Sequence, residues 1–415
     1  METQTTMLTD NQLRQVNALQ TKALLVGVVC TVVALIGAIV YSLGEGVGLR
    51  GLFQPFMVAY VWVLGLGLGG LALVMLHHLC GGAWSFMIQR IGEAASRTLP
   101  FLFVLGILVV LCGALFSFLY PWRDPAHLEL YPIVKNKLAF LNLGTFTVCF
   151  FLYWAIWMAL MFVFNGWSKK LDKTGDVAII GRMQALAAPG LILYVLSLTF
   201  ASTHWFMSLE PEWFSTIYGA WAIAGFSLSI MSFSAIVLTY LAQEGPVASA
   251  VTDRHYHHIG NFLLGFTIFW AYVSFSQFLI IWNGNLPEEI GYYLHRSGGG
   301  LTEVTVLLIV LVWLVPFFGL LLRHNKTNPK RLRNIAFMVI FVRLIDLYWN
   351  IVPSFDGHHS VIRPLMVALV LLASAGFMGL WLWVFLGQLK KMPVLPQQDP
   401  RREFNFLKDE AHSHA

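Results

Sequence analysis

Ten apolar stretches of about 20 residues recur along the chain, and the short segments between them carry most of the charge. A helix needs about 20 apolar residues to cross a hydrocarbon core of about 30 Å. Only 11% of the residues are charged, whereas soluble domains have about 25%. Because lipid offers the backbone no hydrogen bonds, such stretches must be helical. The sequence therefore predicts an all-α polytopic membrane protein with ten transmembrane helices.

The predicted spans are numbered one to ten in chain order. Their approximate limits are 22–43, 54–79, 99–120, 138–164, 183–206, 217–241, 259–282, 301–322, 334–352 and 364–386. A polar leader (1–21) precedes them, and a charged tail (387–415) follows that is predicted to be poorly ordered alone. In span two, Gly65 and Gly69 have the spacing that lets two helix backbones approach closely, which indicates a packing face.

The distribution of basic residues predicts the orientation. An even number of spans puts both termini on one side, and that side carries 19 Lys and Arg against 6 on the other. The positive-inside rule then places both termini in the cytoplasm. Because the excess of positive charge lies in short loops between spans, the net charge of +5 indicates topology and does not indicate nucleic-acid binding.

The segment 199–219 forms the turn between spans five and six on the outer side. It contains Glu210, and three aromatic residues flank it: Trp205, Trp213 and Tyr218. Aromatic rings with one polar edge are typical of membrane surfaces. We therefore expect these rings at the membrane boundary, with His204 just inside it.

Span nine is unusual because it contains Arg343 and Asp346, which lie three residues apart and can pair on one helical face. Counting from Asn334, they lie roughly 13 and 18 Å into the hydrocarbon core. An unpaired charge at such a depth costs at least about 2.5–3.5 kcal/mol. Two interpretations are open. The pair could serve a proton relay or face a ligand, or it could be a neutralised structural pair that fixes span nine to a neighbour.

Three further polar residues are expected at a similar height on the outer side. His204 ends span five, Gln277 lies late in span seven, and Glu303 begins span eight. Histidine and amide groups can hold the two oxygens of a quinol, and a carboxylate can accept its proton. The alternative for each residue taken singly is solvation at the membrane interface. The quinol pocket would be favoured if the spans bring these polar residues close together at one depth in the membrane.

At the cytoplasmic end, His77 and His78 close span two. Adjacent helical residues point in different directions, so the two rings are not expected to share a metal. His204 lies at the opposite face, and the four cysteines occur singly, so we expect no haem, iron–sulfur cluster or zinc held by this chain alone. Three further histidines are predicted to be solvated loop residues: His255, His257 and His258.

Two long motifs carry a family resemblance. The stretches HWFMSLEPEWFSTIYG (204–219) and FWAYVSFSQFLIIWNGNLPEEIGYYLHR (269–296) resemble the large membrane subunits of bacterial alternative complex III. These subunits belong to the NrfD-like family of polysulfide-reductase membrane subunits. The modest length and short tail look more like the ActF-type subunit than its paralogue ActC. At the position before Trp205, where we expect an acid in many relatives, this chain has His204.

The resemblance implies a fold, a location and partners. It implies two four-helix bundles, 54–206 and 207–353, flanked by span one with its loop (22–53) and by the outer loop with span ten (354–386). It also implies the bacterial inner membrane, with no haem or cluster in the chain itself. The implied partners are a periplasmic iron–sulfur subunit, multihaem and monohaem cytochromes c, and the ActC-type paralogue.

Three functions remain open from the sequence. In the first, the chain contributes a pocket for a quinol, menaquinol or ubiquinol, to a quinol:cytochrome c oxidoreductase, with His204, Gln277, Glu303 and Asp346 in the pocket or proton path. In the second, it is a proton-translocating or scaffold subunit, and His77, His78, Arg343, Asp346 and His204 form parts of a path. The third is an independent secondary transporter, which would have broken helices at matching places in two halves.

Overall fold

A computed structural model describes residues 7–116, 119–356 and 361–401 of the chain. Within these ranges there is no β-strand, and ten helices are long and apolar enough to cross a membrane. The prediction of an all-α polytopic membrane protein is confirmed. The side of the membrane that holds the termini stays a prediction. We call it the termini face, and the other side the opposite face.

The spans have the following bounds. Spans one to five are Asp10–Gly44, Arg50–Cys80, the helical segment 99–116, Leu143–Thr174 and Ala178–Trp205. Spans six to ten are Tyr218–Leu241, Asp253–Gly284, the helical segment 301–321, Pro329–Ile351 and Pro364–Leu389. Spans three and eight each contain a π-helical segment, Ile107–Leu111 and Ile309–Leu314. Shorter helices outside the spans are Ala83–Ser96, Pro125–Leu130, Gly245–Ala250, Pro287–Leu294, Arg323–Thr327 and Pro353–Asp356.

Helix contacts group the spans into two sets of four. Spans two to five pack on one another, as do spans six to nine, and spans two and six join the sets at the centre. Spans one and ten pack along each other and against span two. Spans two and six are almost wholly buried, whereas spans one and eight leave most of their surface for lipid. Buried polar groups on the central helices are therefore shielded from the lipid.

Glycines allow the closest helix contacts. A Cβ atom at Gly65 would lie 2.8 Å from the Phe226 ring, and one at Gly69 would lie 2.8 Å from the Phe226 carbonyl oxygen of span six. The predicted packing face of span two is thus confirmed. A Cβ atom at Gly379 would lie 2.7 Å from the Gly27 Cα atom, so spans ten and one also touch backbone to backbone.

The structure corrects four expectations at the termini face. The described part of the leader is not separate, because span one begins at Asp10 with Thr9 as its N-cap. Residues 83–96, expected to be a loop, form a buried helix against span two, which we call the connecting helix. The tail folds back, with buried side chains at Val394 and Leu395; residues 402–415 lie outside the described ranges. The three histidines predicted as loop residues belong to the first turns of span seven: His255, His257 and His258. His255 is buried, and the other two are half-buried.

Candidate functional site

Two clusters of buried polar and charged side chains lie near the two membrane faces. The inner cluster, at the termini face, comprises His77, His78, Arg90, Glu93, Arg97, Ser168 and Asp172. The outer cluster reaches from the opposite face into span nine and comprises Glu210, Tyr292, His295, Arg296, Arg343, Asp346 and Asn350. Buried charges are costly unless they are paired, so both clusters need a specific physical account.

Glu93 is the centre of the inner cluster. Its side chain is fully buried on the connecting helix, and Arg90 Nη1 donates to Glu93 Oε2 at 2.8 Å. The Ser168 hydroxyl of span four donates to Glu93 Oε1 at 2.7 Å. Arg90 also reaches Asp172 with its second nitrogen, at 2.6 Å. The connecting helix therefore holds a buried carboxylate between an arginine, which it shares with Asp172, and a hydroxyl.

The tail covers this cluster from the aqueous side. The backbone N–H of Gln397 donates to Asp172 Oδ1 at 3.3 Å. The Arg401 guanidinium lies 5.5 Å from the centre of the Phe86 ring, and Asp399 is buried beside it. Segment 392–401 thus closes the termini face over the connecting helix.

His77 and His78 are the two buried histidines of the inner cluster. His77 Nδ1 lies 2.7 Å from the Ser85 hydroxyl, and the His78 ring stacks on Phe164. The two rings meet edge to face, as expected for adjacent helical residues. His77 Nε2 and both ring nitrogens of His78 have no hydrogen-bond partner among the described residues. Buried polar atoms of this kind are usually satisfied by ordered water, so these three nitrogens are candidate positions for bound water.

Glu210 and Arg296 are the centre of the outer cluster. Arg296 Nη1 lies 3.1 Å from Glu210 Oε2, and His295 Nδ1 lies 2.9 Å from Glu210 Oε1. The Arg296 guanidinium also lies 3.5 Å from the centre of the Tyr292 ring and donates to the Asn350 carbonyl oxygen at 2.9 Å. The helix Pro287–Leu294 and its C-terminal residues therefore fix the turn after span five to the end of span nine.

Acid should weaken the outer cluster through Glu210. Burial alone would raise the pKa of Glu210, but Arg296 and His295 hold it below its ordinary value. A carboxylate whose pKa is lower in the folded protein stabilises the fold at a pH above its unfolded-state pKa of about 4.3. This contribution to stability is lost as the pH falls through the pKa of the folded state. We expect the melting temperature of the protein in detergent to decrease when the pH is lowered below about 4. The Glu210→Gln variant should be less stable at pH 7 and less sensitive to acid; an identical acid profile for both proteins would contradict this.

A hydrogen-bonded chain links the outer cluster to the ion pair in span nine. The Tyr292 hydroxyl donates to Asn350 Oδ1 at 2.9 Å, and Asn350 Nδ2 donates to Asp346 Oδ1 at 3.1 Å. Asp346 forms an ion pair with Arg343, as the i, i+3 spacing predicts. Gly225 of span six makes room for this pair, because a Cβ atom there would collide with the Arg343 guanidinium. The pair is packed between spans nine and six, with both side chains at least 97% buried.

The structure does not bring the predicted quinol-pocket residues together. His204 belongs to the first four-span set, where its Nδ1 lies 2.8 Å from the Tyr153 hydroxyl and its ring stacks on Phe140. Gln277 accepts from the Ser215 hydroxyl at 3.1 Å, at the edge of the second set. Glu303 is exposed at the start of span eight. Among the predicted site residues, Arg343 pairs directly with Asp346, and His77 contacts His78.

The three aromatic residues of the turn are buried in the protein and do not face the membrane surface. Their height at the membrane boundary stays a prediction. Trp205, Trp213 and Tyr218 are at most 3% exposed. Trp213 stacks on Tyr292 with ring centres 3.9 Å apart, and the Tyr120 hydroxyl donates to the Trp205 carbonyl oxygen. The rings pack there because the turn is held inward by the bond between Glu210 and Arg296.

Span six carries three buried serines on the stretch that follows Gly225. The Ser229 hydroxyl donates to the Gly225 carbonyl oxygen at 2.8 Å. The hydroxyls of Ser232 and Ser234 are buried and have no hydrogen-bond partner in the part of the chain that the structure describes. Span six runs from the opposite face to the termini face, so these hydroxyls lie beyond the ion pair in the direction of the inner cluster.

The sequence contained a signal for the inner cluster that the prediction did not use. Arg90, Glu93 and Arg97 have i, i+3 and i, i+4 spacing, which is typical of paired charges on a helix. Apolar residues recur among them at helical intervals, at Trp84, Ile88 and Ile91. The partnership of Glu210 with Arg296 has no comparable signal, because the two residues are far apart in the chain.

Comparison with known proteins identified neither a family nor a relative of this chain. No protein-family model matches the chain, and no curated protein matches it. Among the residues that the structure describes, no group of three His, Cys, Asp or Glu side chains is arranged to hold a metal ion. The two polar clusters contain carboxylates, which can bind and exchange protons.

Proposed function

We propose that this chain is a proton-conducting membrane subunit of a quinol:electron-acceptor oxidoreductase in a bacterial inner membrane. The observation that carries the proposal is the pair of buried, hydrogen-bonded carboxylate clusters at opposite ends of the central helices. Proton movement through a membrane protein needs ionisable groups that face the protein interior and are linked by hydrogen bonds or water.

The proposed route begins at Glu93 and the neighbouring histidines. The unpartnered ring nitrogens of His77 and His78 can hydrogen-bond to water, and Glu93, which can exchange a proton, lies in the same cluster. Water beside the hydroxyls of Ser232 and Ser234 would carry the proton along span six to the ion pair.

From the ion pair the route continues to the opposite face. Asp346 is joined to Asn350 and Tyr292 by hydrogen bonds, and the Arg296 guanidinium lies against the Tyr292 ring and on Glu210. Arg343 is in contact with the Asp346 carboxylate and would offset its charge. A proton that arrives at Asp346 would weaken this pairing. Its onward transfer would need water beside Asp346, because the Asn350 amide positions the carboxylate and does not itself relay protons.

The redox part of the proposal rests on the resemblance of segments 204–219 and 269–296 to the large membrane subunits of alternative complex III. In this proposal the ActC-type paralogue, the iron–sulfur subunit and the cytochromes c carry out electron transfer. A quinol pocket within this chain has less support, because His204, Gln277 and Glu303 lie in separate surroundings. The secondary-transporter alternative also lacks support: the π-helical segments occupy the second span of one set and the third span of the other.

The first test is whether the chain belongs to such a complex. An affinity-tagged chain purified in mild detergent from its native membrane should bring with it c-type haem and an iron–sulfur subunit. The preparation should reduce cytochrome c with a quinol as the electron donor. A second purification after a high-salt wash serves as the control, because it should remove peripheral cytochromes and the activity together. A chain that purifies alone, without haem or quinol oxidation under both conditions, would contradict the proposal.

A further inference from the structure

A surface cavity at the termini face lies outside both polar clusters. It has a volume of about 260 Å³ and is formed between the first turns of span seven and the short helix Arg323–Thr327. Its lining residues are Asp253, Arg254, His257, Arg323 and Thr327. Two arginines from separate helices thus face one cavity together with a histidine and a threonine.

The cavity has an excess of positive charge. Arg254 and Arg323 stand against a single lining carboxylate, Asp253. Lys326 lies on the same short helix, packs its side-chain carbons on Gly260, and donates from Nζ to Asn261 Oδ1 at 2.7 Å. Arginine presents several N–H donors in a planar fork that suits phosphate oxygens, and a hydroxyl or an imidazole can add a further hydrogen bond. The chemistry of the cavity therefore favours a phosphate group.

The surroundings of the cavity are apolar on the membrane side. Beyond His257 on the same face of span seven, Gly265, Ile268 and Tyr272 are exposed. A Cβ atom at Gly265 would meet no other atom within 4 Å, so the surface there is open. On span eight, Phe318 is 61% exposed. An inorganic phosphate ion would make no favourable contact with this apolar surface, whereas the acyl chains of a lipid would pack against it.

We propose that this cavity binds the phosphodiester headgroup of an anionic phospholipid and that its acyl chains lie along spans seven and eight. The cavity is at the membrane face that carries the excess of Lys and Arg, which the positive-inside rule assigns to the cytoplasm. The cytoplasmic leaflet contains anionic lipids, and basic pockets between transmembrane helices on that side are suited to their headgroups. The inference stands independently of the proposed redox function.

The test uses the purified full-length chain with any partners that it retains. Native mass spectrometry would compare retained phosphatidylglycerol with retained phosphatidylcholine. The variant is Arg254→Gln/Arg323→Gln. The matched control is Lys169→Gln/Lys170→Gln, which removes the same charge from exposed positions at the same face. We expect the wild type and the control to retain phosphatidylglycerol preferentially, and the cavity variant to bind it roughly tenfold or more weakly, since each basic residue contributes about 1 kcal/mol.

One further arm, competition with inorganic phosphate, separates the two sources of the phosphate group. Addition of inorganic phosphate should leave the bound lipid in place, because the free ion gains nothing from the apolar surface. If phosphate displaces phosphatidylglycerol, or binds when the lipid does not, the lipid proposal is overturned in favour of a soluble anion. Equal loss of lipid from the cavity variant and the control would also overturn it, because the binding would then be a general effect of surface charge.

Discussion

The Asp346→Asn variant should be less stable than the wild type by about 3–5 kcal/mol in the free energy of unfolding, because removal of one partner leaves a buried charge without compensation. Arg343 is 1% exposed and lies against span six at Gly225. Asp346 also accepts from the Trp270 indole at 3.2 Å and from Asn350 at 3.1 Å. Thermal unfolding of the purified variant in detergent, at fixed lipid content, measures the loss.

Two further variants make this prediction specific. In Arg343→Met/Asp346→Leu both charges are removed and the volume is kept, so we expect most of the stability to return, as for other buried pairs replaced by apolar side chains. The Glu129→Gln variant removes an exposed carboxylate and should change the stability by no more than about 0.5 kcal/mol. If Asp346→Asn were as mild as Glu129→Gln, the loss of Asp346 would not leave an uncompensated buried charge at Arg343.

The Glu93→Gln variant is expected to remove proton translocation while electron transfer continues at roughly half the wild-type rate or better. Glutamine has nearly the same shape and can still accept from Ser168, but it does not exchange a proton near neutral pH. Arg90 keeps Asp172 as a partner, so the variant should fold. Proton uptake by proteoliposomes that contain the whole complex, followed with a pH-sensitive dye during quinol oxidation, measures the effect.

The control for this prediction is Asp10→Asn, which removes an exposed carboxylate at the same face. It should translocate protons as the wild type does. If Glu93→Gln translocates protons at the wild-type ratio, the inner cluster has a structural role only. If both proton and electron transfer stop together, the variant has lost the assembled complex, and co-purified haem per chain separates this outcome from a loss of proton transfer.

The parts of the structure that follow from local patterns could be predicted from the sequence. The ten spans follow from apolar length, and the pairing of Arg343 with Asp346 follows from their i, i+3 spacing. The contact of Gly65 and Gly69 with span six follows from the absence of side chains on one helical face. In each case the pattern that predicts the feature lies within a single helix, and the bilayer excludes other backbone conformations for that segment.

The partners that come from distant parts of the chain could not be predicted in this way. Glu210 and Arg296 are brought together because the loops after spans five and seven pack on each other at the opposite face. No pattern within a single span predicts this contact. His204 was placed at the same height as Asp346, but height does not specify which helix a residue faces, and its partner is Tyr153 of span four. The connecting helix was missed because its charged residues, once paired with Asp172 and Ser168, can be buried.

The central claim is that protons cross the membrane through this chain while quinol is oxidised. The most direct measurement is the number of protons that appear at the opposite face per electron transferred by the wild-type complex in proteoliposomes. Quinol oxidation by itself releases one proton per electron. We expect a ratio above one, with matching uptake of protons from the termini face. A ratio of one, with no uptake from the termini face, would contradict it.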